Sequence, residues 1–173
     1  MIPYIIPAIL IYSVFVLLVL MVIDLRTRLL PNKFVLQFLF FGIAFHILTG
    51  MHYTTPFNMI IAMTLSGGMM LAIRTVGNKI YKTDTLGLGD VKLIGAAGLW
   101  LGTDSIFLAI SLGAIAGIIH GIIVVMWKRI TTGEKVNFAT FSIPAGPGFI
   151  IGIILMGIIK FHSLPTLLQQ NLL

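Results

Sequence analysis

The chain has no cysteine, and only 9% of its 173 residues carry a formal charge. The first absence excludes disulfides, cysteine-ligated zinc, iron–sulfur clusters and thiol catalysis, although it fixes no compartment. The second excludes an ordinary soluble domain, in which about 25% of residues are charged. Acids are scarcest of all, limited to Asp24, Asp84, Asp90, Asp104 and Glu134. Residues 1–23 hold no charge, so the basic segment of a secretory signal is missing, and no small-residue cleavage site follows. They read as a first membrane helix that stays in the chain.

What is present is apolar: 58% of residues are hydrophobic and the mean hydropathy is +1.10. The expectation is an all-α, polytopic membrane protein, one membrane-embedded domain over residues 1–173 with no sizeable soluble part. About 20 apolar residues cross a bilayer core. On that measure spans fall at about 3–23, 34–49, 57–76, 87–103, 105–127 and 145–162, six in all. The polar "TGMHYTTP" (49–56) breaks a charge-free stretch that is long enough for two spans.

The net charge of +6 sits in short loops. This pattern predicts topology rather than a nucleic-acid surface. Arg26, Arg28 and Lys33 follow the first span, Arg74, Lys79, Lys82 and Lys92 surround the loop after the third, and Lys128, Arg129 and Lys135 follow the fifth. Only Lys160 falls near the other side. The positive-inside rule then puts both termini outside and these loops in the cytoplasm. Asp24 ends one span and Asp90 begins another on that same side, so the two acids are expected at one depth.

A carboxylate at the edge of hydrocarbon is costly and is usually paired or functional. Asp104 reads as the N-cap of the fifth span, and Glu134 as a solvated loop charge. Asp84 reads either as a loop charge or as an acid supporting a nearby site. For Asp24 and Asp90 three readings stay open on the residues alone. They are ion pairs with Arg26, Arg28 or Lys92, a proton or ion pathway, or a functional pair. The Asp90–Lys92 pairing is poor on a helix, where residues two apart do not face each other. Gly87 and Gly89 before Asp90 permit irregular backbone and close approach by another chain.

Other chemistries have little support. There is no H-E-x-x-H, no close histidine pair and no G-x-S-x-G. His46, His52, His120 and His162 are scattered and read as packed or interfacial. Ser66, with Gly67 and Gly68, reads as a close-packing position. Gly113, Gly117 and Gly121 form a G-x-x-x-G face, read first as packing within the bundle and second as a homodimer contact.

Three segments carry a family resemblance. "DLRTRLLPN" (24–32), "GLGDVK" (87–92) and "IPAGPGFIIG" (143–152) resemble, in order, the signatures of the type IV prepilin peptidases, membrane aspartyl proteases of the GxGD kind. The similarity covers nearly the whole chain. It implies that Asp24 and Asp90 are catalytic aspartates, with Gly87, Gly89, Lys92, Pro31, Asn32, Pro144, Gly146 and Pro147 as supporting motif residues, and that no metal or cofactor is used. It also implies a prepilin or pseudopilin precursor as substrate, cut at the cytoplasmic face of the plasma membrane between a basic leader and a hydrophobic helix. An archaeal preflagellin peptidase would share the aspartates.

Two departures stand out. Many members carry paired Cys-x-x-Cys motifs in a methylating domain. This chain has none, and so resembles the short, peptidase-only form. Ala145 replaces a common bulky phenylalanine. Under this reading Lys92 either snorkels to headgroups or holds the pair's single negative charge in place. Asn32 caps a helix or bonds the pair. The competing reading is a proton-coupled transporter or channel subunit using Asp24 and Asp90 as relays.

Overall fold

The computed structural model describes residues 2–132 and 145–166. Glu134, Lys135 and Pro144 lie outside the described residues, as does the side chain of Lys128. Five helices run in order: α1 (Ile2–Thr27), α2 (Asn32–Leu48), α3 (Pro56–Tyr81), α4 (Leu88–Thr132) and α5 (Gly146–Phe161). Four of them are long and apolar enough to cross a membrane, and α2 is a shorter apolar helix. Large apolar side chains such as Ile11, Phe40, Phe57, Ile118 and Trp127 stand exposed around the outside. On a soluble monomer that much exposed apolar surface would be anomalous; on a helical membrane protein it is the lipid face.

Local chemistry sets the boundaries. Thr55 caps α3 by accepting from the Asn58 N–H at 3.3 Å, and Pro56 opens the helix where its missing N–H costs nothing. At the other end Lys82 takes a left-handed conformation (φ 55°) and donates its N–H back to Asn78 O at 2.9 Å. Arg28 does the same for α1 (φ 55°), donating to Asp24 O at 2.8 Å. Both stops are made without glycine, which is why the sequence marks neither.

The longest helix is not straight. A continuous helix of its length would reach roughly 70 Å, more than twice a bilayer core. Gly102 breaks it, with φ 65° and ψ 175°, a region essentially closed to residues with a Cβ. The chain doubles back there. Asp90 lies beside Gly146, whereas Gly113, 23 positions further on, lies beside Gly148 and Phe149 only a turn along α5. Only a reversal satisfies both contacts. The backbone groups freed at the break find side chains from elsewhere. Lys160 Nζ donates to Leu101 O at 2.6 Å, and Asn58 Oδ1 accepts from Thr103 N at 3.2 Å and Thr103 Oγ1 at 2.8 Å. The cap expected from Asp104 is thus supplied by Asn58 across the bundle. Asp104 is exposed in the first turn beyond the break, where a carboxylate suits the helix dipole.

The first half of α4 forms the centre, with Leu93, Ile94, Ala97 and Leu101 essentially inaccessible. Small residues bring α3 against it. A Cβ on Gly67 would lie 3.5 Å from Gly95 Cα, and one on Gly98 would meet Ala62 O and Ser66 Oγ, each at 2.6 Å. Ser66 Oγ donates to Ile94 O at 3.2 Å. Ser66 and Gly67 are therefore packing positions, whereas Gly68 faces open space with nothing within 4 Å. The Gly113 and Gly117 face is filled by α5 of the same chain. A Cβ on Gly148 would lie 2.6 Å from Gly113 O and 2.8 Å from Gly117 N. Gly121 is buried as well.

Aromatic rings fill the end of the bundle nearer Gly102. Phe45 stacks on Tyr53, tilts against Trp100 and meets Phe161 edge-on. Trp100 Nε1 donates to Phe38 O at 2.7 Å, and His46 Nε2 lies 3.1 Å from Trp100 O. His46 is thus a packed core histidine. His120 is half-buried, and His52 and His162 are exposed.

Gly98→Ala is expected to lower the midpoint of thermal unfolding in detergent, with a loss of about 1–3 kcal/mol from overpacking against backbone. Gly68→Ala, into open space, should stay within about 1 kcal/mol of the parent. Equal behaviour of the two would contradict the packing described.

Candidate active site

Asp24 and Asp90 come from helices that meet at one end of the bundle. Asp24 occupies the last turn of α1, and its carbonyl takes the N–H of the left-handed Arg28 that ends the helix. Asp90 occupies the first turn of α4. Gly87 O accepts from Asp90 N at 3.1 Å and Val91 N at 3.3 Å, so the helix starts from Gly87. The Asp90 carboxylate in turn accepts from the Gly87 N–H. This is the reciprocal logic of a capping box, with an acid three residues into the helix reaching back to the cap. It holds one carboxylate oxygen, Oδ2, against Gly87, where a Cβ would lie 2.9 Å from it.

The other oxygen is aimed elsewhere. A Cβ built on Gly146, the first residue of α5, would lie 3.3 Å from Asp90 Oδ1 and 2.5 Å from Asp24 Oδ2. Those same two oxygens are buried and have no hydrogen-bond partner among the described residues. Asp24 is 5% exposed and Asp90 7%. The Gly146 N–H bonds the Asp24 carboxylate. Two carboxyl groups thus converge on one point from which any side chain is excluded, with one unsatisfied oxygen from each facing it. Unpaired buried carboxylate oxygens are costly. Here the N-termini of α4 and α5 both point at the pair, and helix N-termini favour negative charge.

The glycines of the GLGD segment divide two tasks. Gly87 makes room for the Asp90 carboxylate, and Gly89 makes room for the loop after α1. A Cβ on Gly89 would stand 2.7 Å from Leu30 Cβ. Pro31, with φ −63° and ψ 128°, turns that loop into α2, whose first residue is Asn32. Asn32 Oδ1 accepts from Lys92 Nζ at 3.0 Å. Lys92 is exposed, so it ties the start of α2 to the first turn of α4. Asn32 serves as that tie and makes no side-chain cap on α2. Pro147 is buried in the first turn of α5 beside Gly146, and Ala145 is half-buried just before it. Ala109 O lies where a Cβ on Gly152 would be, which seats α5 tightly against the second half of α4.

Among the described residues the one ion pair is Arg74–Asp84, with N···O 2.7 Å. Asp24 makes none with Arg26 or Arg28, and Asp90 makes none with Lys92. Asp84 is a solvated loop acid held by α3. The sequence reading missed three contributors to this end of the bundle: Leu30, Arg74 and Asn78. Arg74 looked like a topology charge because its partner sits ten positions on, beyond a helix stop that no glycine announces.

Fold and site together define a polytopic helical membrane protein with a buried carboxylate pair where three helix ends meet. Comparison with known proteins agrees with that class. The family model of the type IV leader peptidases matches residues 10–122, which include both aspartates. The chain is similar to the prepilin leader peptidase/N-methyltransferase of Pectobacterium carotovorum subsp. carotovorum, being 29% identical over 143 residues, 82% of this chain and 49% of that protein. It is similar to the protein of the same name from Escherichia coli (strain K12), 30% identical over 129 residues, 75% of this chain and 56% of that protein. A third, from Aeromonas salmonicida (strain A449), is 27% identical over 76% of this chain and 44% of its own length. The chain thus spans about half the length of the curated relatives it matches. No solved structure matches it. The chain belongs to the type IV leader peptidase family.

The convergence at Gly146 is testable without any assay of activity, because the chain has no cysteine of its own. Asp24→Cys with Asp90→Cys should be joined within one chain by a short bifunctional thiol reagent, shifting its gel mobility. Asp24→Cys with Asp104→Cys should not. The reverse result would mean that the two acids do not meet.

Proposed function

We propose that this chain is an aspartic-type endopeptidase that removes the leader of type IV prepilins or pseudopilins, with Asp24 and Asp90 as its catalytic pair. The observation that carries the reading is the convergence of two buried, partnerless carboxylate oxygens on Gly146. Family membership and the names of the relatives support the substrate class. In this reading α1, α2, α3, the two halves of α4, and α5 make six crossings of the plasma membrane. Both termini lie outside, and the pair lies at the cytoplasmic face beside the basic loops.

The chemistry follows from the pair. Two carboxyl groups this close do not both ionise cheaply, so between them they hold one proton. The ionised member takes a proton from a water whose oxygen attacks the scissile carbonyl carbon. The protonated member gives its proton to the carbonyl oxygen, leaving a tetrahedral diol. On collapse one diol hydroxyl returns its proton to the ionised member, the C–N bond breaks, the amine leaves with a proton from the other member, and the new acid is released, leaving the pair with one proton. No metal enters these steps. Water reaches a membrane rim more readily than the bilayer centre, which suits a hydrolytic site at helix ends.

The relay reading gains no observation of its own. A proton path needs acids in succession through the bundle. Of the two other described acids, Asp84 pairs with Arg74 in an exposed loop, and Asp104 is exposed at the opposite end.

In detergent with a purified prepilin, Asp24→Asn and Asp90→Asn should each slow cleavage by at least about a hundredfold, the scale of lost acid–base catalysis. Asp104→Asn should cleave at the parental rate. Normal cleavage by either pair variant would end the assignment. Because one carboxyl must be ionised and one protonated, the parental rate should trace a bell against pH. A flat profile would contradict a shared proton.

A further inference from the structure

The segment between α3 and α4 is short and ends at Leu86-Gly87, and a second glycine, Gly89, follows in the first turn of α4. Glycines lose the most conformational freedom on ordering. A carboxylate launched from such a segment is only as well placed as the segment itself. The chain meets this demand with side chains from the end of α3. Arg74 Nη2 donates to Asp84 Oδ1 at 2.7 Å, and Arg74 Nη1 donates to Leu86 O. Asn78 Nδ2 donates to Asp84 Oδ1 at 3.0 Å. Asn78 Oδ1 accepts from Thr85 N at 2.8 Å and from Thr85 Oγ1 at 2.9 Å. Three consecutive residues, Asp84, Thr85 and Leu86, are therefore each fastened to α3. The next residue is Gly87, whose N–H holds the Asp90 carboxylate and whose carbonyl starts α4. Gly77 completes the seat, since a Cβ there would lie 3.2 Å from Thr85 Cβ.

We infer that Arg74 is a positioning residue for Asp90: its guanidinium clamps the loop that presents the Asp90 carboxylate, and the rate depends on that clamp. The inference rests on Asp90 belonging to the reacting pair. It differs from reading Arg74 as a topology charge or as half of a surface ion pair. The two partners are unequal: the Arg74 side chain is 16% exposed and that of Asp84 77%. An exposed carboxylate adds little to stability through its ion pair. The Leu86 carbonyl is the contact that matters, since it lies next to Gly87. A planar fork can hold Asp84 and Leu86 at once, whereas the single ammonium of a lysine offers no such fixed fork.

The test uses three variants. Arg74→Ala should cut kcat by roughly tenfold or more, the scale expected of a misplaced catalytic group. KM for the precursor and the thermal midpoint should stay near parental values. Asp84→Asn should lose much less, because Asn78 still holds Thr85 and Arg74 still holds Leu86. The third variant, Arg74→Ala with Gly77→Cys and Thr85→Cys, adds a covalent clamp at a separation near that of disulfide-linked residues. Its oxidised form should regain kcat over its reduced form, a reversal that mere loss of charge would not allow.

A readout independent of turnover separates this inference from the functional one. Crosslinking of Asp24→Cys with Asp90→Cys should fall when Arg74→Ala is added. A parental kcat for Arg74→Ala, unchanged crosslinking, or no difference between the oxidised and reduced clamp would overturn the positioning role. If the parent itself cleaves no prepilin, the functional reading fails, and the crosslinking result still decides whether Arg74 places Asp90.

Discussion

Two carboxyl groups are brought out of water within reach of one another, and among the described residues neither makes an ion pair. That is the electrostatic demand around which this end of the bundle is built. The protein answers it mainly with backbone, the Arg28 charge acting on Asp24 only from a distance. The N–H of Gly87 holds one acid and the N–H of Gly146 the other, and two helix N-termini are aimed at the pair. A cation within hydrogen-bond distance would tie up the oxygens that face each other. Lys92, the nearest in sequence to Asp90, is instead engaged by Asn32.

The three sequence signatures are one object in space. Gly89 lets Leu30 of the first segment touch the second, Lys92 and Asn32 bond across the same seam, and Gly146 of the third closes over both acids. Each glycine acts through a side chain that it does not have, at a distance a Cβ would not tolerate. This explains why small residues recur around the two acids. The acids can approach only because the backbones carrying them do.

Much of the architecture is legible in the primary structure because it is written in short-range patterns. The polar "TGMHYTTP" segment with Pro56 locates the α2–α3 break, and uninterrupted apolar runs locate the long helices. The pairing of Asp24 with Asp90 was legible as shared depth, from the alternation of loop charges. What was not legible depends on partners far apart in sequence. The cap at Thr103 comes from Asn58 on α3, so Asp104 only looked like the cap. Gly68 shares a run with Ser66 and Gly67 but points the other way, because a helix turns about 100° per residue. Arg74 and Lys92 each had an obvious local reading, as a topology charge and as a snorkelling or tuning cation. Each is committed to a partner that only the folded chain supplies.

The helix that closes the site is also the last in order along the described chain. Both acids are synthesised well before Gly146, yet until α5 takes its place Asp24 lacks the amide that holds it, and the two oxygens have no common wall. At its far end α5 is pinned by Lys160 to the carbonyl of Leu101, beside the reversal at Gly102. One helix is thus keyed to the bundle at both ends. Neither acid has its full surroundings until α5 is seated against the rest of the bundle.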